Sequence, residues 1–179
     1  MIFVTNAAGK AIYLGAEWTE LTGQTLAEAV DYGWVRVVHP EDRAVVRSVV
    51  AEAIRRKEPF TVRYRLLNPE GQHAWVLGGA VPSFGPPDRS FLGFLGSITR
   101  IADADAVQGT IGSFDLPPDR AVEPARNNLE RAADNLITAH ALLERSGGRH
   151  LLTGLRTVLY QLGLELAKND RVDGLDQVH

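Results

Sequence analysis

The spacing of hydrophobic and polar positions changes several times along the chain, and each spacing predicts one kind of element. Between residues 40 and 57, apolar side chains recur every three or four positions, and arginines occupy the rest of the helical wheel. The apolar members are Val45, Val46, Val49, Val50, Ala53 and Ile54. This pattern predicts an amphipathic helix that begins at Pro40, because a proline suits the first helical position.

Strict alternation replaces the helical spacing after Pro59. The apolar set of the first strand is Phe60, Val62, Tyr64 and Leu66. A turn at residues 68–71 then predicts a hairpin. The alternating set of the returning strand is His73, Trp75, Leu77 and Val81. We expect this strand to close at Pro82 and a third long strand to run from Phe91 to Ile101, which gives an antiparallel sheet with helices on one face.

The first thirty residues contain only short elements. Residues 2–5 and 11–14 are apolar segments separated by a turn composition, and they predict a small β-hairpin. Residues 17–21 and 26–30 predict two brief helices, the first stopped at Gly23, which suits a left-handed cap. Helices this short need packing against the rest of the fold, since isolated helices require about 12–15 residues.

The last third of the chain has a different pattern. Residues 104–122 contain two glycines and two prolines and show little periodicity. This composition predicts a linker that no rigid helix crosses. Leucines then recur at helical spacing on both sides of Ser146-Gly147-Gly148, which predicts an antiparallel helical hairpin over residues 123–170 and a tail over 171–179.

The predicted hairpin carries more apolar surface than its own seam can cover. Ile137, Leu151 and Val158 widen the apolar stripes beyond the seam. We therefore expect either the sheet or the same hairpin of a second chain, in a four-helix bundle, to cover them.

Composition narrows the class of protein. The 179 residues are enough for one domain and an appendage. The net charge is −3, and neither half of the chain is strongly basic. That balance argues against nucleic-acid binding. There is no cysteine, so disulfides and thiolate metal sites are excluded. Neither a signal peptide nor a run of about 18 apolar residues is visible, so we expect a cytoplasmic protein without membrane segments.

No catalytic constellation emerges from the sequence. His39 and His73 do not combine with the available serines and aspartates in the pattern of a nucleophile elbow. Gly78-Gly79 lies in a predicted strand, so it is not a phosphate-binding loop. We expect no enzyme activity and no metal site, since one isolated histidine sets no ligand geometry.

The order of these elements and motifs resembles a PAS domain over roughly residues 1 to 101. The motif residues are Trp18, Gly23, Gly33-Trp34, His39-Pro40-Glu41-Asp42-Arg43, Pro59-Phe60, Tyr64-Arg65-Leu66, Gly71, Trp75, Pro82 and Gly96-Ser97-Ile98-Thr99. The resemblance implies an α+β fold over residues 1–103, with a five-stranded antiparallel sheet and helices on one face. Members of the family commonly hold a small molecule, a flavin or haem between sheet and helices, or simply dimerise.

Within that resemblance, five residues are candidates for a ligand pocket. They are Trp34, His39, Tyr64, Trp75 and Phe94. The aromatic members could instead fill the core, and His39 could serve as a local cap. Arg63 and Arg65 alternate with Tyr64, so we expect them on the opposite sheet face, solvated or paired with acids.

The resemblance also bears on the cofactor. Haem-binding PAS domains usually carry the ligand histidine in the long central helix, which here has none, so haem is disfavoured. Light-sensing flavin PAS domains need a cysteine, so that photochemistry is excluded while a noncovalent flavin stays open. The cofactor is therefore left unknown.

The predicted hairpin is similar to the dimerisation hairpin of sensor histidine kinases. In that family an acid lies beside the phosphate-accepting histidine and a proline follows it a few residues later, whereas His140 lacks the proline. Serine at position 97 also replaces the acid that often ends a signalling PAS domain, so direct helical transmission to an output is doubtful.

Three functional hypotheses follow. The leading one is a sensory or regulatory protein that binds a small molecule or a signalling partner and dimerises through the hairpin, without chemistry of its own. The second is a ligand-free dimerisation scaffold. The third is a phosphorelay component, within a two-component system, that accepts phosphate on His140.

Overall fold

The computed structural model describes residues 1–102, 106–114 and 128–173, with side chains as far as Leu166. The chain divides into two compact units, an N-terminal unit (Met1–Ala121) and a C-terminal unit (Val122–His179). Within the described residues, none of the helices combines the length and the apolar character needed to cross a membrane.

The N-terminal unit is an α+β fold built on one antiparallel sheet. Its described strands are β1 (Ile2–Thr5), β2 (Ala11–Leu14), β3 (Phe60–Leu67), β4 (His73–Gly85), β5 (Ser90–Arg100) and β6 (Gln108–Ile111). They lie in the order β2-β1-β5-β4-β3-β6. The alternating apolar residues of β3 are buried, as their spacing predicted.

In the described part of the chain the sheet has six strands, so the prediction of five is wrong. The additional strand, β6, lies within residues 104–122, the segment expected to be a linker, and pairs with β3 from Phe60↔Ile111 to Arg63↔Gln108. Its sequence is short, polar and interrupted by Gly109, so it has no alternation of its own. The strand forms because the open edge of β3 offers backbone donors and acceptors that must be paired.

The expected end of β4 at Pro82 is also wrong. The strand continues to Gly85, and Pro82 lies opposite Phe94 of β5. The register shifts directly afterwards, between Ser83 and Phe84. A proline lacks the backbone N–H that a ladder uses, and such residues are tolerated at sheet edges and bulges.

Short helices cover one face of this sheet. They are α1 (Glu17–Thr22), α2 (Leu26–Ala29), a 3-10 turn (Gly33–Val37) and α3 (Arg43–Arg56). Gly23 ends α1 with φ +70°, which confirms the predicted left-handed cap. Thr25 and Glu28 form a reciprocal capping box at the start of α2.

Helix α3 begins at Arg43, so the predicted start at Pro40 is wrong by three residues. Residues 40–42 form a turn, and Asp42 is the N-cap. Its carboxylate does not cap the helix but accepts hydrogen bonds from Arg65 of β3. A tertiary partner has thus displaced the local one, and the predicted apolar face of α3 still turns inward, with Val46 and Ala53 buried.

The C-terminal unit contains two helices, α4 (Asn128–Ser146) and α5 (Leu152–Asp173), with a 3-10 turn at Arg149–Leu151 before α5. The side chain of Arg156 in α5 contacts both His140 and Glu144 of α4. No described side chain of α4 is buried. The two helices agree loosely with the predicted hairpin, and Leu152 is the buried apolar residue in the described part of this unit.

Candidate functional site

The N-terminal unit contains an apolar cavity of about 60 Å³ between α3 and the sheet. Val46 and Val50 reach it from the inward face of α3, and Val62, Tyr64 and Phe94 reach it from β3 and β5. An amphipathic helix and an alternating strand each turn one apolar face to the same interior, so their facing side chains define its walls.

A glycine on β4 leaves part of this space open. Gly78 lies opposite Val62 in the ladder and lines the cavity. A Cβ atom at Gly78 would lie 3.0 Å from Cε1 and 3.3 Å from the hydroxyl oxygen of Tyr64. Any larger residue at this position would therefore press on the Tyr64 ring.

Most polar atoms at the cavity wall already have partners. The indole N–H of Trp18 donates to Gln24 Oε1 at 3.1 Å, and Gln24 in turn donates to the carbonyl of Gly33. The hydroxyl of Thr5 accepts the backbone N–H of Phe94 at 3.0 Å. These bonds fix α1 and β1 against the rest of the fold and leave the wall largely apolar.

The hydroxyl of Tyr64 is an exception. Tyr64 is only 4% exposed, and its hydroxyl has no hydrogen-bond partner among the described residues. Burial raises the pKa of this phenol, because a phenolate would lose its hydration.

The structure brings together three of the five residues singled out from the sequence. Trp34, Tyr64 and Phe94 line the cavity, whereas His39 and Trp75 do not. Tyr64 is in register with Val76, so the neighbouring Trp75 points to the opposite sheet face. There the guanidinium carbon of Arg65 lies 5.4 Å from the centre of the Trp75 ring.

His39 lies at the entry to α3. Its backbone N–H donates to the carbonyl of Arg65 at 3.0 Å, and its ring meets that of His73 edge-on with centroids 6.0 Å apart. Its Nδ1 is buried without a hydrogen bond, 3.8 Å from a carboxylate oxygen of Glu41. This placement ties the turn before α3 to β3.

Asp42 and Arg65 form the strongest polar link between α3 and the sheet. The carboxylate of Asp42, 1% exposed, accepts the backbone N–H of Arg65 at 2.8 Å and its Nε at 3.0 Å. Arg65 also reaches Glu41 at 2.9 Å. Burial opposes ionisation of Asp42, but the Arg65 hydrogen bonds outweigh it and lower the pKa of the carboxyl.

Ligand atoms of His39, Glu41 and Asp42 lie within 4.8 Å of one another, a spacing that a metal ion could bridge. However, the Asp42 carboxylate already accepts three hydrogen bonds from Arg65 and is buried beside its charge. A cation bound there would have to displace the guanidinium or sit against it. The arrangement therefore fits a structural ion pair better than a metal centre.

A flavin or haem does not fit the cavity. The cavity measures about 60 Å³, less than half of the roughly 150 Å³ of an engineered cavity that holds benzene. Both cofactors are far larger than benzene. Among the described residues, no histidine lines the cavity to bind a haem iron. Either cofactor would require α3 and the sheet to separate.

Sequence reasoning missed the side of the cavity formed by small and aliphatic residues. Val46 and Val50 were recognised as core, and Gly78 only as a strand residue, yet all three are cavity walls. Their sequence signal is the inward face of α3 combined with the β3–β4 register. That register follows from the hairpin turn and could have placed Gly78 opposite Val62.

In the C-terminal unit, His140 has a defined environment. The Nε of Arg156 donates to Nε2 of His140 at 3.1 Å, and Glu144 Oε1 lies 3.8 Å from the other ring nitrogen. The lone pair of Nε2 is therefore engaged by a cation. A phosphate transfer to this nitrogen would first have to break the bond to Arg156.

Comparison with known proteins bears on the N-terminal unit. Residues 11–93 match the model of a family described as PAS fold. An uncharacterized protein of Sinorhizobium fredii (strain NBRC 101917 / NGR234), y4lL, is 42% identical over 96 residues. That match covers 54% of this chain but only 12% of the relative.

Two solved structures are similar to part of this chain. The N-terminal domain of a diguanylate cyclase with PAS/PAC sensor from Marinobacter aquaeolei superposes with a TM-score of 0.51 at 17% identity, covering 55% of this chain and 92% of that one. A PAS domain from Colwellia psychrerythraea gives 0.47 at 25% identity, covering 56% and 84%. The family match and the Marinobacter fold support a PAS domain in the N-terminal unit, a class typical of sensory or signalling proteins.

Proposed function

We propose that this chain is a cytoplasmic sensory or regulatory protein whose PAS domain binds a small molecule and whose C-terminal helices form a dimer. The observation that carries the proposal is the apolar cavity between α3 and the sheet. PAS domains are generally sensory rather than catalytic, and the protein is proposed to have no chemistry of its own. A signalling protein is a further partner in this scheme.

The position of the cavity suits a sensor. Its walls belong both to α3, through Val46 and Val50, and to the sheet, through Tyr64. The start of α3 is held on β3 by Asp42 and Arg65. A ligand that binds one arrangement of α3 and sheet better than another would shift the equilibrium between them, which is the physical requirement for a signal.

Binding can be tested by nuclear magnetic resonance of the methyl groups that line the cavity. We expect small neutral fragments to shift the methyl resonances of Val46, Val50 and Val62 in a saturable manner, and Val50→Phe, which fills the cavity, to abolish the shifts. Val81→Phe, at a valine of the sheet that is 42% exposed, is the matched control. Fragments that shift only surface methyls, or shifts that persist in Val50→Phe, would exclude the cavity as the binding site.

Dimerisation is proposed from apolar side chains left exposed in the C-terminal unit. Leu151, in the 3-10 turn before α5, is 51% exposed, and Val158 of α5 is 47% exposed. Ile137 and Leu142 of α4 are more than half exposed as well. A second copy of these helices would cover such surface in a four-helix bundle.

The second candidate is a dimerisation scaffold without ligand. It is favoured by the small size of the cavity, since Trp18, Tyr64 and Phe94 are themselves buried in the same interior. The two candidates differ in the fragment titration, because a scaffold predicts no saturable shifts at Val46 and Val50 while the protein still sediments as a dimer.

A further inference from the structure

We infer that the cavity selects small, uncharged molecules with one hydrogen-bond acceptor, which the hydroxyl of Tyr64 holds. This inference rests on the proposed function and names the ligand class of the same site. Three observations support it: the volume of the cavity, the absence of charge from its described walls, and the unpartnered donor.

Volume limits the ligand to a few non-hydrogen atoms. The cavity measures about 60 Å³, and one water molecule needs about 10–15 Å³ on the same kind of measure. Gly78 contributes part of this space, because a methyl group there would lie 3.3 Å from the Tyr64 hydroxyl oxygen. The free volume beside the hydroxyl therefore depends on this glycine.

The walls exclude charged ligands. Among the described residues, no acidic or basic side chain lines the cavity. The ion pair of Asp42 with Arg65 does not line the cavity, and three hydrogen bonds join its two residues. An ion transferred into this site would lose its hydration without gaining a counter-charge, so neutral molecules are preferred.

The Tyr64 hydroxyl is the hydrogen-bond donor that orients the bound ligand. The Tyr64 side chain is 4% exposed, and its hydroxyl has no partner in the described chain, whereas the Trp18 indole N–H donates to Gln24 and the Thr5 hydroxyl oxygen accepts the N–H of Phe94. A ligand acceptor would satisfy a donor that is otherwise unpaired. A site with such a donor rejects an analogue that lacks the acceptor, because the donor is then left unsatisfied.

The test compares two probes on the full chain, acetone, with one carbonyl acceptor, and xenon, with none. Binding is followed through the methyl resonances of Val46 and Val62. In Tyr64→Phe we expect acetone to bind about three- to tenfold more weakly, the range of one net hydrogen bond, while the affinity for xenon changes less than about twofold. Tyr13→Phe, at a tyrosine that is 54% exposed, is the matched control.

A second variant guards against an indirect effect of Tyr64→Phe. Gly78→Ala keeps the hydroxyl but occupies the space beside it, so both probes should lose affinity. The Tyr64 anchor is overturned if acetone binds Tyr64→Phe as well as it binds the wild type, while saturable binding in the cavity still supports the proposed function. If neither probe shifts the cavity methyls of the wild type, both this inference and the proposed ligand binding are wrong.

Discussion

The two units of the chain differ in how much of their apolar surface they bury. In the N-terminal unit, Trp18 is fully buried and Phe94 is 2% exposed, within a core shared by every layer of the fold. In the described part of the C-terminal unit, Leu152 alone is classed as buried, and Tyr160 is 69% exposed. One unit closes a core of its own, whereas the other leaves apolar surface that a partner could cover.

Polar contacts show the same contrast. The amino group of Met1 bonds to the carbonyl of Ile98, and Asp42 bonds to Arg65, so the N-terminal unit is closed by contacts between distant parts of the sequence. Side-chain bonds in α4 and α5 include local ones, from Thr138 to Asp134 and from Thr157 to Thr153, beside the contacts of Arg156 with α4. A core closed by long-range contacts should be stable in a monomer, and a pair of helices without one should depend on assembly.

The largest loss of folding stability should come from a substitution in the core of the N-terminal unit. Trp18→Ala removes a fully buried indole and its bond to Gln24, and should lower the free energy of unfolding by about 3–5 kcal/mol. Ile137→Ala, at a residue 57% exposed, should change it by less than about 0.5 kcal/mol in a monomer. Urea unfolding monitored by tryptophan fluorescence and circular dichroism measures both, and equal losses would erase the proposed difference between the units.

The next effect concerns the link between α3 and β3. Asp42→Asn removes the charge that Arg65 faces and should cost about 2–3 kcal/mol, somewhat less than a fully buried pair because Arg65 is 19% exposed. Leu164→Asn in the C-terminal unit is the control, since that side chain is 46% exposed.

The Asp42–Arg65 pair predicts that the free energy of unfolding decreases as the pH is lowered. The native pKa of Asp42 lies below its ordinary value of 3.8, so its stabilising contribution is complete above that pH. It declines as the pH falls and is lost once the pH passes below the native pKa. Unfolding free energies measured from pH 6 to pH 2 should fall less steeply in Asp42→Asn, and identical slopes would remove Asp42 as the cause.

A moderate effect on assembly should be confined to the helices. Val158→Glu places carboxylates in the proposed interface and should raise the dimer dissociation constant at least about tenfold, equivalent to 1.4 kcal/mol. Val81→Glu is the matched control, because Val81 is similarly exposed, at 42% against 47%, but lies on the sheet. Sedimentation velocity decides between them, and a dimer lost only in Val81→Glu would move the interface to the sheet.

The smallest effect should come from His140. His140→Ala removes the acceptor of one hydrogen bond from the exposed side chain of Arg156, and should cost about 0.5–1 kcal/mol. The same variant tests the phosphorelay hypothesis, because incubation of the wild type with a candidate histidine kinase should leave His140 unlabelled. Label that appears in the wild type and vanishes in His140→Ala would establish phosphate transfer.

Much of the N-terminal fold could be predicted from the sequence, because its periods are strong. The bounds of β1 and β2 and the inward face of α3 follow from apolar spacing and turn residues. Strand β6 could not be predicted, since its four residues pair only because β3 leaves an edge free. The start of α3 could not be predicted either, because the Asp42 carboxylate bonds to Arg65 of β3 rather than to its own helix.

The site was harder to predict than the fold. Tyr64 and Phe94 were recognisable as inward-facing aromatics, but Trp75 lies on the other sheet face. Deciding between the two faces requires the register of β3 with β4, where Tyr64 meets Val76. The size of the cavity depends on Gly78 and on side-chain packing, which no single-residue pattern records.

Hydrogen exchange of the full chain at two protein concentrations, one below and one above the dimer dissociation constant, tests the difference between the units most directly. We predict that amides of β3, β4 and β5 are protected equally at both concentrations, while protection of α4 and α5 rises with concentration. Protection of α4 and α5 that is already as high as that of the strands in the monomer, and does not change on assembly, would contradict the account.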